Sequence, residues 1–273
     1  MLNRLYIFNF KENAMKKFIK AISFLLILII FLVNLNRVFK FKYGDGIYGL
    51  EKFYSLDAES VDLLVLGSSH AFEDINPAVL WMEQGIAAYD LCGSVQPMWN
   101  TYFYLKEALK TQKPKMIILE GYMLSFDENY SDDSRIIKNN YGLKNTKDKW
   151  DSLKVSCPKD NFYDFALEIG QYHNRYTDIT KEDFLKNQGN PLFENWKGNG
   201  NNRVINSFDK PQVAQIEDAL PLNSKTEKYY RAILQLANDN NIKIMVVVSP
   251  YPGITETNQK KYNMGKIIAD EYK

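Results

Sequence analysis

The longest apolar stretch of the chain lies near its start. From Ala21 to Leu35 only Ser23 and Asn34 are polar, and Phe18 and Ile19 extend the run across Lys20, whose stem can carry its charge to an interface. A helix built from it has no polar face to turn toward water, which argues against a buried core helix. A stretch of about 17–20 residues crosses a bilayer core. A cleaved leader needs a small-x-small site after its apolar core. The bulky, basic VNLNRVFKFK follows instead, which favours an uncleaved signal anchor over residues 18–36. Arg4, Lys11, Lys16, Lys17 and Lys20 precede the span, and Arg37, Lys40 and Lys42 follow it. This basic excess puts residues 1–17 in the cytoplasm. The expectation is a single-pass protein of the cell membrane, with a linker over 37–59 and an extracytoplasmic domain over 60–273.

Beyond the linker, four short runs read as strands: VDLLVLG (61–67), AAYDLCG (87–93), PKMIILEG (114–121) and IKIMVVVSP (242–250). The first, third and fourth are continuously apolar, as strands covered on both faces are. Helical patterns separate them. NPAVLWMEQG (76–85) has Asn at a cap, Pro at the first helical position and Gly at the end. MWNTYFYLKEALKTQ (98–112) follows, and SKTEKYYRAILQLANDN (224–240) opens with Ser224 and Glu227 in capping-box register. Strand and helix alternate, so the pattern predicts an α/β domain on a parallel sheet. Gly44, Gly46 and Gly49 of the linker read as turns.

Residues 123–222 break the rhythm and are rich in Asn, Asp, Lys, Tyr and Trp. About a hundred residues is far too long for an ordinary connection between strands. The stretch reads as an insertion, either holding substrate or merely structural. FYDFALEIGQYHNRY (162–176) and EDFLKN (182–187) are helix candidates within it, and GNGNN (198–202) is a loop.

Charge narrows the function classes. The 34 Lys and Arg nearly balance 33 Asp and Glu, without the basic excess of a nucleic-acid binder. Two cysteines, Cys92 and Cys157, and two histidines, His70 and His173, give no metal-ligand spacing. Neither a metal nor another cofactor is implied.

Ligands of open α/β sheets bind beyond the carboxyl ends of the strands. Three chemistry-bearing turns stand there: Gly67-Ser68-Ser69-His70, Leu91-Cys92-Gly93-Ser94 and Leu119-Glu120-Gly121-Tyr122. Ser69 falls at the start of the next helix, where free backbone N–H groups can hold an oxyanion, and Gly93 can add another. A serine in this position is also a common helix cap.

LLVLGSSH, then DLCGS, then KPKMIILEGYML resemble the SGNH/GDSL hydrolase superfamily. The resemblance is to its membrane-anchored cell-envelope members, relatives of alginate acetylation proteins and of the D-alanyl transfer protein of teichoic acid synthesis. It covers residues 60–122 and 224–252 and the anchor. It implies a three-layer, flavodoxin-like sandwich. Ser69 takes the place of the nucleophile, and the N–H groups of Ser69 and Gly93 the place of oxyanion donors. The family's third block carries Gly-x-Asn-Asp, where this chain has LEGYML; Glu120 and Tyr122 are therefore pocket candidates. The last block, Asp-x-x-His after a fifth strand, does not occur within residues 1–273; the chain is then either truncated or a degenerate homologue, and the expectation is truncation. His70, next to Ser69, reads as packing or substrate contact, because a neighbour on a sharp turn points away. His173 reads as substrate-facing or structural.

The resemblance implies a serine esterase or O-acyltransferase acting on an envelope polysaccharide, beside a multipass membrane partner that delivers the acyl group. The other reading is a non-catalytic envelope protein that binds glycan or such a partner.

Overall fold

The computed structural model describes residues 2–40, 45–126, 129–130, 132–158, 160–166, 168–184, 216–251 and 253–272. The Gly-Asn run 198–202 lies outside them, as do the last residues of EDFLKN. The chain divides into two units, residues 1–41 with 167–188, and residues 42–166 with 189–273.

The first unit is built on helix α1 (Leu2–Phe39). Within it, Asn13–Phe39 is long and apolar enough to cross a membrane. At about 1.5 Å per residue, that window exceeds the hydrocarbon thickness of about 30 Å. The side chains of residues 13–34 are exposed throughout, whereas residues 35–40 apart from Arg37 are half-buried.

The second unit is α/β. Strands β1 (Leu63–Gly67), β2 (Ala88–Cys92), β3 (Met116–Glu120) and β4 (Lys243–Val247) form one sheet in the order β2-β1-β3-β4. All three pairings are parallel, with Gly67 beside Cys92, Leu66 beside Leu119 and Glu120 beside Val247. All four strands lie inside the strand-like runs named above. Side chains alternate across the pleat. Leu64, Leu66, Leu91, Ile117 and Leu119 enter the main core. Val65 and Cys92 face a smaller cluster with Ala71 and Phe72.

Helices lie on both sides. α2 (Asp45–Phe53), α5 (Met98–Ala108) and α10 (Ser224–Asp239) supply Leu50, Phe53, Leu105, Ile233 and Leu234 to the main core. α3 (Ser69–Asp74) and α4 (Pro77–Gln84) pack on the other side over β1 and β2. The insertion contributes α6 (Asp133–Asn140), α7 (Lys147–Ser156) and α8 (Phe162–Ala166) to this unit. Its next part, α9 (Glu168–Tyr172) and the 3₁₀ turns His173–Thr177 and Lys181–Phe184, belongs with α1. α11 (Glu256–Asp270) is the last of the described helices.

Three local expectations change. The linker contains a buried helix: Ile47 and Leu50 of α2 are fully covered. β4 is not covered on both faces; it is an edge strand with Lys243 and Met245 exposed. The cap of α10 is Asn223, whose side chain makes no capping bond, and Glu227 pairs with Arg231 at 2.8 Å instead of closing a capping box.

Candidate functional site

The chain reverses its order between β1 and β3: β2 returns to one side of β1, and β3 lies on the other. Such a switch point opens a crevice at the carboxyl ends of the strands. Ser69 stands there as the first residue of α3, half-buried. Its hydroxyl makes no hydrogen bond to any of the described residues.

Ser68, one residue earlier, is the N-cap and is fully buried. It does not cap α3 through its side chain. Its Oγ instead donates to Glu120 Oε2 at 3.1 Å. Glu120 Oε1 accepts from the backbone N–H of Tyr122 at 2.7 Å. One buried carboxyl thus ties the turn after β1 to the turn after β3. Burial pushes the Glu120 carboxyl up to about 7, against hydrogen bonds from Tyr122 and Ser68 that favour its charged form. Gly67 makes this approach feasible. Its φ is 150°, and a Cβ there would lie 2.7 Å from Glu120 Cβ and 3.1 Å from Ala71 Cβ, closer than carbon atoms pack.

His70 turns into an aromatic wedge. Its ring stacks on Tyr122 with centroids 4.0 Å apart and meets Tyr251 edge-on at 5.1 Å. Tyr251 and Tyr262 share a hydroxyl–hydroxyl bond of 2.8 Å, and Tyr262 also donates to Tyr122 O at 3.3 Å. Burial lowers the His70 pKa, with Asp74 opposing, so its surroundings favour the neutral ring.

Gly93, beyond β2, is buried. A Cβ there would meet Asn139 Oδ1 at 2.3 Å and Gln96 Oε1 at 3.1 Å. Asn139 Nδ2 holds the neighbouring turn by donating to Ser94 O at 3.1 Å. His173 lies in the other unit, in the 3₁₀ turn His173–Thr177; its side chain is outside the described residues.

The strand ends thus bring together Ser69, His70, Glu120 and Tyr122, with Gly93 on the adjoining strand end. Sequence reasoning missed Ser68, Asn139, Tyr251 and Tyr262. Ser68 carried a signal, because two serines followed the glycine. Tyr251 had one too, in its place just after the fourth apolar run. Asn139 sits in the insertion with no pattern to mark it.

The site is not the roomiest feature of the unit. A cavity of about 880 Å³ follows the open edge of β4 and is lined by Leu234, Ile244, Met245 and Val246. Another of about 590 Å³ lies beside Trp81 and Leu56. Neither includes Ser69. Both cysteines are free and buried, and no group of metal-ligating side chains occurs among the described residues. No family model, curated protein or solved structure matches the chain.

Proposed function

We propose that the chain is a membrane-anchored serine esterase or O-acyltransferase of SGNH type, acting on an envelope polysaccharide. In this reading the sheet is the β2-β1-β3-β4 part of a flavodoxin-like sandwich, and the domain is extracytoplasmic. One observation carries it. At the switch point Ser69 opens a helix with its hydroxyl unspent, while its neighbour Ser68 takes the buried hydrogen bond.

The chemistry is acyl transfer. Ser69 Oγ attacks the ester carbonyl and gives up its proton to a base. The oxyanion takes the backbone N–H groups of Ser69 and Gly93. The tetrahedral centre collapses, the alcohol leaves with a proton, and an acyl-Ser69 ester remains. Water or a sugar hydroxyl then attacks that ester and restores the serine. A multipass membrane partner would supply the acyl donor. His70, Tyr122 and Tyr251 form the aromatic wall beside the serine.

Among the described residues no base is hydrogen-bonded to the Ser69 hydroxyl. That favours a second reading, a glycan- or partner-binding envelope protein in which the same wall serves recognition alone. A fluorophosphonate probe separates the two on the full chain in detergent. The catalytic reading expects labelling that Ser69→Ala abolishes and Ser68→Ala does not. A folded wild-type chain that takes no label but retains polysaccharide on a column supports the binding reading.

A further inference from the structure

The carboxyl end of α1 is closed by a residue from far along the chain. The last carbonyls of a helix have no partner within it. Arg175 Nη1 donates to Phe39 O at 2.5 Å and to Lys40 O at 3.1 Å. Its Nη2 donates to Asp183 Oδ1 at 3.0 Å. Asp183 is buried and accepts from the backbone N–H of Thr180 through its other oxygen at 2.9 Å. Arg37 makes the reciprocal contact, donating to Phe184 O at 3.1 Å. Residues 168–184 therefore form a collar pinned to one end of a long apolar helix.

The position of this collar along α1 is informative. Side chains 13–34 are exposed, and partial burial begins at Leu35, where the apolar run also ends. Phe39 lies four residues beyond, about 6 Å along the axis. The headgroup layer outside a hydrocarbon core is about 5–8 Å deep on each side. The capped carbonyls fall within that depth once the apolar run fills the core. There the collar exposes two aromatic side chains, Tyr176 at 71% and Phe184 at 60%. Large aromatic residues left open at this level match the belts that sit among lipid headgroups. Arg37 is also exposed, and so is Lys181; cations at this level suit lipid phosphates.

We propose that residues 168–184 form a lipid-binding collar, with Tyr176 and Phe184 lodged among the headgroups at the C-terminal end of α1. The proposal rests on α1 crossing the bilayer, and the experiment tests the two separately.

The full chain is reconstituted into vesicles of phosphatidylethanolamine and phosphatidylglycerol. Nitroxides are placed on Tyr176→Cys, on Phe184→Cys and, as a depth control, on Leu28→Cys. Cys92 and Cys157 are buried and resist the labelling reagent. Tyr176 and Phe184 make no side-chain hydrogen bonds among the described residues, so their replacement leaves the collar's bonds in place. Collision rates with oxygen and with a water-soluble nickel chelate report depth. The expected oxygen-to-nickel ratio at 176 and 184 is several-fold above that of nitroxide-labelled glutathione in water and several-fold below that at 28. Water-like ratios at 176 and 184 with a deep ratio at 28 overturn the collar and leave the span standing. Exclusion of both reagents at 176 and 184 means protein covers them, and also overturns it. A water-like ratio at 28 refutes the span and the collar together.

Discussion

Glu120 sits fully buried beneath the turn that presents Ser69 and accepts hydrogen bonds from both turns of the crevice. Its carboxyl holds a proton more tightly folded than unfolded, about 7 against 4.5. Unfolding between these values releases that proton. The contribution to stability is complete below about 4.5, falls as pH rises toward about 7, and is level above. The loss is on the order of 3 kcal/mol. Glu120→Gln is expected to flatten this part of a stability–pH curve measured by thermal unfolding in detergent. Gly67 gives a second expectation. Gly67→Ala forces a Cβ against Glu120 at a φ of 150°, and is expected to cost about 2–4 kcal/mol in the same assay. The need for glycine was legible as a turn. Its reason was not, because Glu120 is 53 positions away and meets it only across the sheet.

Among the elements, α2 differs most from its pattern. DGIYGLEKF carries two glycines and reads as turns, yet it is a helix buried over β2. A Cβ on Gly46 would lie 2.5 Å from the Tyr104 hydroxyl and 2.6 Å from Lys138 O. The glycine lets α2 approach α5 and α6 closely, at the expense of its own helical propensity. In an exposed helix, Gly to Ala stabilises by about 1 kcal/mol. Here Gly46→Ala is expected to reverse that sign and destabilise by about 1–3 kcal/mol, read as a lowered unfolding midpoint. β1, β3 and β4 were legible because four or five consecutive apolar residues between turn signals have few other uses; β2, interrupted by Asp90, was marked by its place between two helical patterns. The edge position of β4 was not: MVVV looks the same in the middle of a sheet, and only the strand order leaves one side open.

For the molecule as a whole, the division into units is not collinear with the chain. The long insertion is shared, with α6, α7 and α8 in the α/β unit and residues 168–184 on α1. The apolar window of α1 should hold the chain in membranes through an alkaline carbonate wash. Arginine at Ile27 and Ile30 together adds about 5–7 kcal/mol to insertion. The double variant is expected in the soluble or aggregated fraction, as read by immunoblot. Retention of the double variant in washed membranes would mean that α1 does not set membrane attachment.

The order of hydrophobic and polar positions by itself determined the apolar helix, the four strands, the α/β class and the placement of Ser69 at a strand end. These depend on neighbours within a few positions, which periodicity records. The tertiary structure alone decided that Ser68, not Ser69, takes the buried hydrogen bond, that His70 stacks on Tyr122, and that Arg175 closes α1. Each of these joins side chains or backbone groups more than fifty positions apart, so burial and geometry had to be known before the partner could be named.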